Sequence, residues 1–453
     1  MRESMYNINM DDNLSQSIQD VTKQPSISFS DGPSQIGKKD HKPLITGIIG
    51  CVIGILLGGA GIFGLIKLLE KPTSCPDCNC PKNISSSGID LDFLKLENSG
   101  ENIIYSPLSI RYGLSLLSAG ADGKTAEEIN SVLGDAELST YQNEADVLSL
   151  ANAVFIRDSF GEYVLPEYVS TVGDKYNSEV IYDSFESSSA MDDWVSQKTF
   201  GLINSIGIEP DGELNMVLAN ALAIQMDWAS SFESSSTNGD PFYTSGGEEI
   251  EATTMHKETS SSNISYYVDD NITTLQMPLK KTDAGVQLEF TAVMPSGDLG
   301  EYIDNITLDE LNSTLDGTIP ADATEAGISI SIPRFKFDYA LNFKNDLQSL
   351  GIQQAFTRGV ADFSKMASQR LVIGQAVHKA NIDFSEDGIK AAAVTAFAMV
   401  NDMAPMYELK PTEVIINRPF FFVIRDKENG AIWFTGAVYQ PNLWENDATN
   451  YSL

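Results

Sequence analysis

One apolar run divides this chain of 453 residues into two unequal parts. The run extends from Leu44 to Ile66, contains no charged residue and is bounded by Lys42 and Lys67. At about 1.5 Å of rise per residue, a helix of this length spans roughly 34 Å, enough to cross the hydrocarbon core of a bilayer. The apolar core of a signal peptide is shorter and nearer the start, and a buried globular helix seldom carries so many glycines. We therefore predict a transmembrane helix over 44–66.

The flanks of this run predict how the chain is anchored. Residues 1–43 are rich in Ser, Asp, Asn and Gln, a composition typical of a disordered polar tail. Three lysines precede the run closely and two follow it, a small bias that favours a cytoplasmic N-terminus. We expect a single-pass protein of the cell membrane whose C-terminal domain lies outside the cytoplasm.

Three of the four cysteines, Cys75, Cys78 and Cys80, lie just beyond the run, in the sequence C-P-D-C-N-C. Structural zinc needs four ligands and no histidine lies nearby, while a redox C-x-x-C normally opens a helix of an α/β domain. We predict a stalk over 67–87, with a metal site as the alternative. The stalk cysteines, or close packing of the glycine-rich span, would allow a dimer.

The charge balance excludes several classes of protein. The chain has 29 Lys and Arg against 63 Asp and Glu, a net charge of −34, which argues against binding nucleic acid through a basic face. Its three histidines are His41, His256 and His378, too few for most multi-histidine metal sites. No G-x-S-x-G motif is present, and His256 lies in a polar stretch without a site pattern. We predict that the protein is not an enzyme and uses neither a cofactor nor a metal.

The chain beyond the stalk has a mixed pattern without an obvious linker or repeat. Helical stretches and β-rich runs do not alternate strictly, which favours an α+β fold with large mixed sheets over a parallel barrel. The helical stretches include Leu108–Gly120 and Met191–Ile203, and the β-rich runs include Val217–Met226, Val286–Met294, Ile328–Phe337 and Phe420–Ile424.

Several motifs, in order along the chain, resemble those of the serpin superfamily. They are Asn102–Ile110 (NIIYSPLSI), Leu218–Ala221 running to Asp227-Trp228, Val377–Ala380 leading into Glu386-Asp387-Gly388, and Asn417–Ile424 followed by Phe434–Gly436. The resemblance implies one serpin domain over 88–453, with three β-sheets, eight to nine helices and an exposed reactive loop. The loop would lie between Gly388 and about Lys410.

The residues after Gly388 can be analysed independently of the family. In a strand, side chains alternate between two faces. One face would carry Ile389, Ala391, Ala393, Thr395, Phe397 and Met399, and the other Lys390, Ala392, Val394, Ala396, Ala398 and Val400. This segment can enter the middle of a sheet without burying a charge, provided that Lys390 faces outward. From the residues alone, a buried strand or an alanine-rich helix is the alternative.

The resemblance implies a suicide-substrate protease inhibitor. A serine or cysteine protease would attack the loop and form an acyl-enzyme, after which the cleaved loop would insert into the family's sheet A as a new strand. About fourteen inserted residues span roughly 48 Å, so the attached protease would be carried to the far end and distorted. The hinge of this movement would be Gly388, Ile389, Lys390, Ala391, Ala392 and Ala393. The alternative is a non-inhibitory serpin relative that acts as a carrier or interaction module.

The resemblance also implies two groups of site residues. Counting from Gly388 places the reactive bond at Asp402–Met403, and an acidic residue there would suit a protease with a basic pocket. The segment from Met403 to Asn417 is long, so counting back from Asn417 gives a different reactive bond. The alternatives to Asp402 are Met399, Asn401, Met403 and Tyr407. The residues expected to control opening of sheet A are Ser106, Ser109, Asn220, Trp228 and His378.

Overall fold

The computed structural model describes residues 88–134, 138–324, 326–342, 344–389 and 410–445. The predicted tail, span and stalk, 1–43, 44–66 and 67–87, lie outside these ranges. Among the helices of the described ranges, none has the length and apolar character needed to cross a membrane. The span over 44–66 therefore stays a prediction.

Eight α-helices occur in the described ranges, and side chains cap the N-termini of four of them. The Ser106 side chain accepts a hydrogen bond from the Ser109 N–H, and Pro107 occupies the first turn of the helix that follows. Thr307 and Glu310 form a reciprocal capping box. The helices are α1 (Ile89–Leu96), α2 (Pro107–Gly120), α3 (Gly123–Leu133), α4 (Pro166–Tyr176), α5 (Ser189–Lys198), α6 (Leu299–Asn305), α7 (Leu308–Asp316) and α8 (Lys344–Ser349).

The same ranges contain eighteen strands, several of them only two residues long. The strands are β1 (Ile103–Tyr105), β2 (Leu148–Arg157), β3 (Ser178–Asp183), β4 (Met216–Ile224), β5 (Met226–Asp227), β6 (Thr237–Tyr243), β7 (Glu249–Thr259), β8 (Ser265–Val268), β9 (Ile272–Pro278), β10 (Leu288–Pro295), β11 (Ile319–Pro320), β12 (Ile328–Pro333), β13 (Phe335–Asn342), β14 (Val377–Phe384), β15 (Gly388–Ile389), β16 (Thr412–Ile415), β17 (Phe420–Asp426) and β18 (Ile432–Val438).

Two of the sheets frame the hydrophobic core. A seven-stranded sheet has the order β1-β18-β17-β10-β9-β8-β11, and a four-stranded sheet has the order β16-β12-β7-β6. Alternate residues of β10 and β17 pack into different apolar clusters, with Phe290 and Phe422 on one side and Val293 and Val423 on the other. Because both faces are covered, β10 is buried along its whole length.

The other two sheets are halves of one layer. One has the order β3-β2-β4 and the other β13-β14-β15-β5. Only Gln225 separates the end of β4 from the start of β5, so these two strands connect the two sheets. At the β5 end, the layer therefore runs continuously from β3 to β13. Farther along, β4 and β14 are not hydrogen-bonded neighbours. The α+β prediction is confirmed, but the described ranges hold four hydrogen-bonded sheets where three were expected, because this layer is divided.

Two predicted elements have different limits in the structure. The stretch Met191–Ile203 is helical only within α5, because Phe200 and Gly201 adopt left-handed φ angles of 56° and 79°. The run Ile328–Phe337 forms two strands, β12 and β13, that belong to different sheets.

Candidate functional site at the divided sheet

The opening between β4 and β14 is closed at one end by the start of the predicted loop. Ile389 of β15 pairs with Phe384 of β14 and with Met226 of β5, and Gly388 pairs with Asp227. Two residues of the predicted hinge are therefore already strand residues of the layer. At this end the layer accommodates one extra strand, β15, between β14 and β5.

An apolar cavity continues the opening beyond β15. Its walls include Leu222 and Ile224 of β4 and Ile382 of β14, and its floor includes Ile424 of the seven-stranded sheet. Thr199, Leu202 and Ile203, from the segment that follows α5, also line it. The cavity therefore lies between two strand edges, and most of its lining side chains are apolar.

Gly388 fits its place because it has no side chain. A Cβ atom built on it would lie 2.2 Å from the Met226 carbonyl oxygen and 2.6 Å from the Asp227 Cα. Both neighbours are backbone atoms, so they cannot rotate away as a side chain would. Ile389 is 3% exposed and belongs to the main hydrophobic cluster, which fixes the inward face of this strand.

The root of the hinge is held by the segment that follows β5. The Trp228 backbone N–H donates to the Asp387 carbonyl at 2.8 Å, and its indole Nε1–H donates to the Ser385 carbonyl at 2.8 Å. The Phe232 N–H donates to the Glu386 carbonyl at 2.9 Å. Trp228 is buried and its ring contacts the Phe384 ring at a centroid distance of 5.2 Å.

Glu386 is a buried carboxylate with two partners. Its Oε1 accepts a hydrogen bond from Thr237 Oγ1 at 2.6 Å, and its Oε2 lies 3.4 Å from Arg334 Nε. Pairing and hydrogen bonding offset the cost of removing this charge from water. Thr237 and Arg334 were not predicted as site residues, because neither lies near the hinge in sequence.

A polar cluster joins the N-terminus of α2 to both edges of the opening. The Ser106 N–H donates to His378 Nε2 on β14 at 3.0 Å. Ser109 Oγ donates to Asn220 Oδ1 on β4, and Asn220 Nδ2 donates to Asn152 Oδ1 on β2 at 2.8 Å. Successive polar groups of one helix end therefore contact strands on opposite sides of the opening.

Burial determines the protonation state of His378. Its side chain lies within the cluster, and desolvation lowers the pKa of the imidazole to about 4. The neutral ring can accept the Ser106 N–H at Nε2, whereas a protonated ring could not.

The predicted site residues thus fall into two groups. Ser106, Ser109, Asn220 and His378 form the polar cluster, and Asn152 is a further member that no motif in the sequence indicates. Trp228 lies with the hinge root. Several predicted residues lie outside the described ranges and stay predictions: Lys390, Ala391, Ala392, Ala393, Asp402, Met403 and the alternatives Met399, Asn401 and Tyr407.

His256 has partners that its polar sequence context did not indicate. Its Nδ1 lies 3.0 Å from Ser331 Oγ, and its Nε2 lies 2.9 Å from Asp240 Oδ2. The residues come from β12, β7 and β6, so this line of contacts connects three strands of the four-stranded sheet. Ser331 lies inside a strand that pairs on both sides, and we interpret the line as a cross-strand brace. Within the described ranges, no group of three or more His, Cys, Asp or Glu could hold a metal ion.

Comparison with known proteins identifies relatives in sequence and in structure. A family profile described as Serpin (serine protease inhibitor) matches residues 91–441. An uncharacterized serpin-like protein of Thermococcus kodakarensis is 28% identical over 382 residues, covering 79% of this chain and 85% of that protein. The leukocyte elastase inhibitor of Xenopus tropicalis is 26% identical over 395 residues, covering 80% and 100%.

Solved structures agree with this match. The native state of the thermophilic serpin tengpin superposes with a TM-score of 0.66 at 26% identity, covering 82% of this chain and 97% of that one. Thyroxine-binding globulin in complex with thyroxine has a TM-score of 0.65 at 23% identity, covering 79% and 99%, which shows a shared fold.

Proposed function

This chain belongs to the serpin family, and we propose that it inhibits a protease as a suicide substrate. The protease would attack a peptide bond within the loop that follows Gly388. Its catalytic residue would form an acyl bond to the carbonyl of that peptide bond, which breaks and frees the amino end of the next residue. The loop would then insert between β4 and β14 and carry the protease with it before the acyl bond is hydrolysed.

The observation that carries this proposal is the pairing of β15 between β14 and β5. Continuing its register would place Thr395 opposite His378 on one side and Asn220 on the other. Ile389 faces the core, so Ala391, Ala393 and Thr395 would face the core as well, and Lys390 would face outward. The register therefore meets the condition for inserting the loop without burying its lysine.

Insertion would be favourable because both facing edges can pair with a new strand. Each additional backbone hydrogen bond contributes about 0.5–1.5 kcal/mol net, and apolar side chains add burial in the cavity. Small residues at the start of the segment, Ala391 to Ala393, would enter without repacking Leu222 and Ile382. Rapid entry is required, since a slow insertion would let the protease release a cleaved product.

We propose Asp402–Met403 as the reactive bond and a serine protease as the most suitable target. The loop's acidic residue at that bond would favour a protease with a basic specificity pocket. Met399, Asn401, Met403 and Tyr407 are the alternatives for the residue before the cut. Sequencing the fragment released by the target protease would identify the bond directly.

The inhibitor proposal is tested by incubating the purified protein with a panel of proteases. Denaturing gels should show a band at the mass of the protease plus the inhibitor up to the cleaved bond, which survives boiling in detergent, together with the released C-terminal fragment. Ala393→Arg, which would place a charge on the inward face, should abolish that band and leave cleavage intact, whereas Lys390→Arg should retain it. Cleavage by every protease without a covalent band would contradict inhibition and favour a carrier or interaction role.

We also propose that residues 44–66 anchor the protein in the cell membrane with the serpin domain outside the cytoplasm. The uncharged run and its lysine flanks support this arrangement. The full-length protein should remain in the membrane fraction after alkaline carbonate extraction, and deletion of 44–66 should release it. Added protease should digest the serpin domain on intact cells.

A dimer through the span or the stalk is part of the same proposal. Non-reducing gels should show a disulfide-linked species that disappears when Cys75, Cys78 and Cys80 are replaced by serine. A dimer that survives this replacement, in detergent, would be assigned to the span.

A further inference from the structure

Lys257 lies on β7, in a different sheet from the hinge, yet its side chain reaches the segment that holds the hinge. Its ammonium donates to the Ser230 carbonyl at 2.8 Å, the Ser231 carbonyl at 2.7 Å and the Ser230 hydroxyl at 2.6 Å. The nitrogen also lies 5.7 Å from the centre of the Phe232 ring. Three acceptors match the three protons of an ammonium group.

The two serines lie between the two residues whose backbone N–H groups hold the hinge root. Trp228, on one side, donates to the Asp387 carbonyl, and Phe232, on the other, donates to the Glu386 carbonyl. By binding both intervening carbonyls, Lys257 fixes the curvature of the segment. Together with the Ala229 N–H, which donates to the Pro278 carbonyl at 2.9 Å, Lys257 then sets the spacing of the Trp228 and Phe232 donors that bind residues 386–387.

We propose that Lys257 is a positioning residue for loop insertion, which holds residues 228–232 in the shape that orients the hinge. This inference rests on the proposed inhibitory function. Through Lys257, strand β7 would influence the insertion of the loop, which takes place in another sheet. The contacts of Lys257 given above reach Ser230, Ser231 and Phe232, so its effect on the hinge passes through the 228–232 segment.

The surroundings of Lys257 make this contact sensitive to pH. Burial lowers the pKa of the ammonium to about 8, and the nearby Glu233 carboxylate opposes that shift. The charged groups of the adjoining hinge root are Glu386, which is paired with Arg334 and Thr237, and Asp387. On β7 itself, His256 and Glu258 flank Lys257, and on β12 its cross-strand partner is the uncharged Ile330.

Deprotonation would leave a neutral amine with two N–H donors for three acceptors. The segment should therefore loosen as the pH rises from about 7 to about 9. Arginine stays charged over this range and offers several donors, so Lys257→Arg should keep the segment in place without the pH dependence.

Hydrogen exchange on the protein alone tests the positioning role. At about pH 7, Lys257→Met should increase exchange of the Trp228 and Phe232 amides by about tenfold, and Lys257→Arg should leave it near the wild-type rate. Lys124→Met is the matched control, since its ammonium pairs with Glu127 within α3. Unchanged exchange at both amides in folded Lys257→Met protein would overturn the inference.

Inhibition assays connect this role to function. The number of inhibitor molecules consumed per protease trapped should rise severalfold between about pH 7 and pH 9 for wild type, and stay level for Lys257→Arg. If both proteins show the same pH profile, Lys257 does not control insertion. If wild type traps no protease while the exchange result holds, the inhibitory function fails and the contact between Lys257 and the hinge segment stands.

Discussion

Ser106 and His378 are 272 residues apart in sequence, and the backbone N–H of the first donates to Nε2 of the second at 3.0 Å. This bond joins the start of α2 to the β14 edge of the opening. It requires a neutral imidazole, which burial provides by lowering the pKa of His378 to about 4. At neutral pH the imidazole of His378 is therefore uncharged and the polar cluster is closed.

Acid should weaken the fold through His378. An unfolded histidine binds a proton near pH 6.5, whereas the folded one resists protonation to about pH 4. Its contribution to the free energy of unfolding is therefore complete above about pH 6.5 and is lost as the pH falls toward 4. We expect a loss of roughly 2 kcal/mol between pH 7 and pH 5. Urea unfolding should show a smaller loss for His378→Gln, and an equal loss in both proteins would contradict this assignment.

Asp346 should act in the opposite direction. Burial and the nearby Glu97 carboxylate raise the pKa of Asp346 to about 6, and Tyr339 Oη donates to Glu97 at 2.8 Å. A raised carboxyl pKa stabilises the fold below about pH 4, and this contribution is lost as the pH rises through 6. Asp346→Asn should be more stable than wild type at pH 8, by on the order of 1–2 kcal/mol, and nearly equal at pH 4. Thermal unfolding of both proteins at pH 4 and pH 8 measures this difference in stability. An equal difference at the two pH values would contradict the prediction.

Gly388 should be indispensable for trapping. Because a Cβ at this position would lie 2.2 Å from the Met226 carbonyl oxygen, Gly388→Ala should displace β15 and slow insertion. We expect more cleaved inhibitor and less covalent complex, measured by gel densitometry. Gly374→Ala is the control, since a Cβ there meets nothing within 4 Å, and it should behave as wild type. Equal trapping by both variants would show that β15 is not the entry point.

Lys390 should find a partner on β14 after insertion. Continuing the β15 register would pair Lys390 with Asp383, whose carboxylate lies 2.7 Å from Lys336 Nζ. Lys390→Glu should therefore raise the proportion of cleaved to trapped inhibitor, because two carboxylates would oppose each other. In an Asp383→Asn background the same change should have a smaller effect, with a coupling of about 0.5–1 kcal/mol. A double-mutant cycle on the trapped-to-cleaved ratio measures it, and purely additive effects would argue for another register.

Patterns among residues close together in the sequence predicted much of the secondary structure of this protein. The alternation of small and apolar residues after Gly388 and the mixed helical and β-rich runs depend on neighbours within a few positions. Met191–Ile203 was predicted too long because the left-handed turn at Phe200 is not marked by any breaking residue before Gly201. The family motifs added the chain order of the elements, which local periodicity does not contain.

The sequence by itself determined that this is an α+β chain of the serpin family, and it predicts an insertable segment after Gly388. Only the tertiary structure decided which distant groups meet: Ser109 with Asn220, Glu386 with Arg334, and Lys257 with the carbonyls of Ser230 and Ser231. Strand pairing decided the division of the layer as well, since β15 joins β14 to β5 whereas β4 and β14 are not hydrogen-bonded neighbours. The physical reason is range: capping and alternation are set by covalent neighbours, whereas these contacts exist only once packing has excluded water around them.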